Sequence, residues 1–242
     1  MVPSSPALSG DWPQWGGRPV RNMVSDEKGL PGSFDPPEKK ADGQMPEMAK
    51  AASLVRSLRL GSETYGSPVI AGGRIFVGTN NGAPRNPRYD GDWGALTCID
   101  ASARGEGDRS ATGKVWTYTG IDRSMATPSV AGGLVFATDY RGVIHCVDAR
   151  TGERLWVHET KAMMMGSTLV ADGKVYAGTE AGKLVVFAAA REKKLLGEAR
   201  LGSPMHCTPV AANGLLYIAA HKNLFVLGTP SLNFSPAAKN SG

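Results

Sequence analysis

The chain has 242 residues, 31 of them glycine, with 20% charged residues and a formal net charge of +5. The charge is diffuse: residues 1–52 hold 6 basic and 7 acidic side chains, the rest 21 and 15, and the densest basic run is Arg191-Glu192-Lys193-Lys194. This excludes the basic stripe of a nucleic-acid binder, and no stretch reaches the roughly 18 apolar residues of a membrane span. Three widely spaced cysteines, Cys98, Cys146 and Cys207, form neither a disulfide framework nor a Cys-x-x-Cys zinc pattern.

In chain order, Met1-Val2-Pro3-Ser4-Ser5-Pro6 lacks the charged and apolar runs of a signal peptide. Trp12 and Trp15 flank Pro13, and residues 10–20 are expected to pack on the body. Residues 36–52 read as a polar linker. Four segments then align without gaps, starting at Gly66, Ala126, Gly166 and Cys207. Each reads as a short strand, a turn and a second strand. The turns are Gly72-Gly73, Gly132-Gly133, Asp172-Gly173 and Asn213-Gly214, which supply the φ > 0 residues of a two-residue hairpin. Second strands open on β-branched and aromatic residues such as Val135-Phe136 and Val175-Tyr176. Third strands follow at 143–147, 184–187 and 224–227, and a fourth at 154–157.

A repeat near 40 residues suits a four-stranded propeller blade. The first repeat is longer, and its excess falls in loops at 80–92 and 102–112. The last repeat reaches Gly228-Thr229-Pro230 without a fourth strand. Ser57-Leu58-Arg59-Leu60-Gly61-Ser62 matches Glu198-Ala199-Arg200-Leu201-Gly202-Ser203, the outer strand of the third repeat. The segment 54–60 is therefore expected to be the missing outer strand, closing the ring and removing an open edge. The expected fold is all-β: a β-propeller of about four four-stranded blades. The domains are an N-terminal extension at 1–52, the repeats at 53–230 and a polar tail at 231–242.

Cys146-Val147-Asp148-Ala149-Arg150-Thr151-Gly152-Glu153-Arg154-Leu155-Trp156 resembles the Ala-x-Asp-x-x-Thr-Gly-x-x-x-Trp repeat of pyrroloquinoline-quinone (PQQ) propellers. Cys98-Ile99-Asp100 with Thr112-Gly113-Lys114-Val115-Trp116 is an interrupted copy. Gly10-Asp11-Trp12-Pro13-Gln14-Trp15-Gly16-Gly17 resembles the opening of PQQ-dependent alcohol dehydrogenases and of secreted PQQ-like propellers. The resemblance implies that Trp116 and Trp156 pack between blades, with Asp148, Thr151 and Gly152 as further structural anchors. It implies a periplasmic or secreted location. It does not fix an activity, because such repeats also build the non-enzymatic lipoprotein of the outer-membrane assembly machinery. The family's rings usually have seven or eight blades, so a closed four-blade ring and a homodimer completing a larger ring both stay open.

PQQ dehydrogenation implies a calcium ion, an aspartate base and, in the alcohol dehydrogenases, adjacent cysteines. No Cys-Cys pair and no Cys-x-x-Cys-His haem motif is present. No catalytic residue, cofactor or metal is therefore assigned, and Asp100 and Asp148 read as turn formers. The residues just before the aligned first strands, Tyr65, Met125, Met165 and His206, are expected to ring one channel mouth, with Met205 beside them. They read as packing or as an adaptable contact surface, with Cu(I) binding through thioether and imidazole as a further alternative. The expectation is a non-catalytic scaffold that binds a protein, peptide or polysaccharide. A reduced quinone-binding relative of the dehydrogenases is the alternative.

Overall fold

The computed structural model describes residues 11–19, 56–57, 64–80, 93–101, 107–108, 112–221 and 223–228. Its strands are β1 Arg56–Ser57, β2 Val69–Ala71, β3 Arg74–Asn80, β4 Gly94–Asp100, β5 Gly107–Asp108 and β6 Lys114–Tyr118. They continue as β7 Ser129–Ala131, β8 Leu134–Thr138, β9 Val143–Asp148 and β10 Arg154–Glu159. The last are β11 Leu169–Ala171, β12 Lys174–Gly178, β13 Lys183–Ala188, β14 Leu195–Arg200, β15 Val210–Ala212, β16 Leu215–Ala219 and β17 Leu224–Leu227. No helix among the described residues is long and apolar enough to cross a membrane.

Four antiparallel sheets form the blades: β2-β3-β4-β6, β7-β8-β9-β10, β11-β12-β13-β14 and β15-β16-β17. This is the propeller expected from the repeats. Each begins with the same hairpin because its turn dipeptide takes two left-handed residues. Gly132 and Gly133 have φ of 57° and 75°, and Asn213 and Gly214 have 52° and 74°. Asp and Asn accept this region more readily than other non-glycine residues.

The closing strand differs from expectation. β1 pairs in parallel with β5, Arg56 opposite Gly107 and Ser57 opposite Asp108. Among the described residues the fourth blade has three strands. The other residues of 54–60 lie outside the described residues. The match to 198–203 reports a shared strand propensity, and propensity carries no information about which edge a strand joins. The loop expected at 102–112 accordingly contains β5, and Asn80 belongs to β3 rather than to the loop after it. The linker at 36–52 and the tail at 231–242 lie outside the described residues.

The core consists of the spaces between blades, because each sheet is apolar on both faces. Phe76, Leu96, Cys98 and Trp116 of the first blade meet Val135, Ala137 and Val147 of the second. Leu134, Phe136, Ile144, Cys146 and Trp156 meet Val175, Ala177, Val185 and Phe187 of the third. The third interface is smaller, with Leu184, Met205 and Ile218 fully buried. Its partly buried members include Tyr176, Leu216 and Phe225. The position aligned with Trp156 is here Gly197, which a Cβ would leave in open space.

Candidate functional site

The described segment 11–19 is a strap along the free edges of the first strands. Trp12 and Ile70 exchange both backbone hydrogen bonds at 2.8 Å. Val130 N–H donates to Pro13 O at 2.7 Å, Ala211 N–H to Pro19 O at 3.1 Å, and Val170 N–H to the Gln14 side-chain oxygen at 3.2 Å. Ile70, Val130, Val170 and Ala211 occupy equivalent positions, so the strap satisfies the same amide in all four blades. Its local shape comes from Gly16 and Gly17, with φ of 76° and 69°, and Gly17 N–H donates to Gln14 O. Trp12 covers Gly17 so closely that a Cβ there would lie 2.8 Å from the indole.

Toward the other end of the first strands, each blade is stitched to the next. Ser67 N–H donates to Thr127 Oγ1 at 2.9 Å, Thr127 N–H to Ser167 Oγ at 2.8 Å and Ser167 N–H to Thr208 Oγ1 at 3.1 Å. Two residues upstream of these bonds stand Tyr65, Met125, Met165 and His206. Tyr65 is 57% exposed, His206 is exposed, and Met125 and Met165 are half-buried. Three stitches join four blades in series, and no described bond continues from Thr208 N–H to Ser67. The four residues thus stand at equivalent positions along an arc of successive blade ends.

Met205 is not at this surface. It is fully buried between the third and fourth blades beside Leu184 and Ile218. Met164, its counterpart one blade earlier, is buried in the same way, whereas Met163 stays 39% exposed. The two buried thioethers fill the irregular gap above an inter-blade core. His206 lies 3.2 Å from Glu180 through Nε2, with its ring edge-on to His221 at 5.1 Å between centroids.

The structural anchors meet the neighbouring blade. Trp116 Nε1–H donates to Ala149 O, and Trp156 Nε1–H to Ala190 O, both at 3.1 Å. Asp148 Oδ1 accepts the Arg150 and Thr151 amides at 2.9 and 3.0 Å, and Thr151 Oγ1 accepts the Glu153 amide at 3.3 Å. Asp148 Oδ2 receives Arg191 of the third blade at 2.6 Å. The Arg191 guanidinium, with those turn amides, holds the Asp148 carboxyl well below the usual carboxylate range. Cys98 and Cys146 are buried free thiols, pushed up to about 11 and about 12 by burial.

Sequence reasoning did not find a buried polar network between the first two blades. Tyr118 Oη lies 3.1 Å from His145 Nδ1, and His145 Nε2 lies 3.0 Å from Asp139 Oδ2. Asp139 Oδ1 accepts Val143 N–H at 2.9 Å. Burial opposes ionisation of Asp139, yet the hydrogen bonds from His145 and Val143 prevail and depress its carboxyl. The only available signal was the apolar strand around His145, which carries no spacing that marks a partner.

Both Asp139 oxygens are spent on His145, Val143 and Asp122, and those of Asp148 on its turn and Arg191. Among the described residues no group of three or more His, Cys, Asp or Glu side chains is arranged to hold a metal ion.

Comparison with known proteins places this architecture. A family model described as outer membrane protein assembly factor BamB matches residues 48–158. The 1-butanol dehydrogenase (cytochrome c) of Thauera butanivorans is 30% identical over 97 residues, covering 34% of this chain and 14% of that protein. The quinohemoprotein alcohol dehydrogenase of Comamonas testosteroni superposes with a TM-score of 0.61 at 15% identity, over 87% of this chain and 35% of that one. BamB from Moraxella catarrhalis gives 0.53 at 18% identity, over 70% of this chain and 48% of that one. The chain thus spans about half the BamB chain and far less of the dehydrogenases.

Proposed function

Taking as premise that the chain is a propeller of the PQQ-repeat family, we propose that it is a non-catalytic scaffold binding a protein or peptide partner at the arc of blade ends. The observation that carries this is the division of labour at that end. The buried polar groups of that end bond blade to blade, through Ser67, Thr127, Ser167, Thr208 and the Tyr118–His145–Asp139 network. Tyr65, His206 and Met163 are among the side chains exposed there, with Met125 and Met165 half-buried. Such a set offers amphipathic anchors and adaptable thioethers, the chemistry of a peptide-contact surface.

The likeness to BamB favours a protein partner over a polysaccharide and agrees with an extracytoplasmic location. The dehydrogenase likeness supports the second reading, a reduced quinone-binding relative, although Asp139 and Asp148 both take hydrogen bonds within and between the blades. Copper binding would have to do without Met205, which is buried in the third inter-blade core.

Fluorescence titration with an immobilised set of extended peptides tests the reading. Peptides that bind should lose at least about tenfold in affinity on Tyr65→Ala or His206→Ala, as anchor truncations do. Equal affinity in both variants would overturn the assignment of the surface.

A further inference from the structure

We propose that the open face of the fourth blade is a self-association surface, occupied by the same face of a second copy of this chain. This goes beyond the scaffold reading and uses different residues.

In the first three blades, the face turned toward the next blade is covered. On the second blade, Phe136, Ile144 and Cys146 are fully buried and Leu134 is 3% exposed. Their equivalents on the fourth blade are Tyr217, Leu224, Val226 and Leu215. Leu224 is 64% exposed, Val226 46%, and Tyr217 half-buried. Ala126 and Gly166, which lie buried against the following blade, correspond to Cys207, which is exposed. The register sets Tyr217 opposite Val226, Ala219 opposite Leu224 and Val210 opposite Tyr217, so these side chains form one contiguous apolar patch. It has the composition of a blade-to-blade interface, three of which already exist in this molecule.

In the three inter-blade cores among the described residues such a face is covered by the next sheet, which argues for a blade as its occupant. The opposite end of the series is not available to cover it. On the first blade, Val77, Ala95 and Ile99 point away from the second blade and are already buried, at 4%, 1% and 4%. The free blade face is therefore that of the fourth blade, and two copies can satisfy it mutually through a two-fold contact. Charge permits this: β15, β16 and β17 contain no charged residue, so a chain of net charge +5 meets its copy without like-charge contacts on the patch. Among the described residues β17 is the outer strand of its sheet, and its sequence, Leu-Phe-Val-Leu, has none of the lysine or proline usually found on exposed edges.

Sedimentation velocity on the full chain over a concentration series tests this. A reversible monomer–dimer equilibrium with Kd below about 50 µM is expected. Leu224→Asp and Val226→Arg should each weaken it at least about tenfold, with circular-dichroism melting confirming that the blades remain folded. Leu196→Asp, which changes an exposed leucine on the outer strand of the third blade, should leave the equilibrium unchanged. A monomer throughout the series, an open-ended ladder of oligomers, or equal loss with Leu196→Asp would each overturn the proposal. None of these results bears on peptide binding at Tyr65 and His206, so the two readings fail separately.

Discussion

Trp116 packs against Gly152 of the neighbouring blade, so closely that a Cβ on Gly152 would sit 2.7 Å from the indole. The same indole donates its N–H to Ala149 O, three residues earlier in that turn. The Asp-x-x-Thr-Gly turn and the tryptophan are therefore one device split between blades. Asp148 shapes the turn, Gly152 leaves room for the ring, and the ring closes the interface. Gly152→Ala faces both the clash and a left-handed φ of 76°. It should cost about 1–3 kcal/mol in urea unfolding, and Trp116→Ala about 3–5 kcal/mol. Full stability in Gly152→Ala would refute the coupling.

The Asp148–Arg191 contact predicts a pH dependence. The folded-state carboxyl is depressed, so its contribution is complete above the unfolded value, about 4. It is lost as pH falls from there toward the folded value. Because Arg191 is 60% exposed, part of the ion pair is screened by solvent. Melting temperature should fall more steeply below about pH 4 in the parent than in Asp148→Asn. Parallel curves would show that the pair contributes nothing.

The Tyr118–His145–Asp139 network should behave as a structural unit. Removing one member strands a buried polar partner, so Asp139→Ala is expected to cost about 3–5 kcal/mol. Tyr118→Phe deletes one hydroxyl and should cost about 1 kcal/mol. Chemical denaturation of the single and double variants would reveal coupling as non-additivity, and strict additivity would argue against a network.

The strap makes a local prediction. Deleting residues 1–19 frees one inner-strand amide per blade, at Ile70, Val130, Val170 and Ala211. Hydrogen exchange at those four amides should accelerate together, before the sheets exchange globally. Acceleration confined to Ile70 would mean that the strap anchors only the first blade.

The hairpins were legible in sequence because Gly-Gly, Asp-Gly and Asn-Gly encode a backbone state that few other pairs adopt, and Gly72, Asp172 and Asn213 take it. The count of four first strands followed from those turns. Strand ends, Leu224–Leu227 among them, followed from runs of β-branched and aromatic residues. What was not legible depends on contacts distant in sequence. The partner of Arg56–Ser57 is chosen by which edge lies nearby, and nothing in those residues names Gly107–Asp108. Met205 and His206 are neighbours along the chain, yet one fills a core and the other faces solvent. His145 looked like an isolated strand residue because its partners, Tyr118 and Asp139, come from two blades.

The scaffold reading is tested most directly by absorbance titration of the full chain with PQQ in the presence and absence of Ca²⁺. The spectra should remain the sum of protein and free quinone at every ratio, with no calcium dependence. A saturable, calcium-dependent change at stoichiometric quinone would contradict the account and place the chain among quinone-binding propellers.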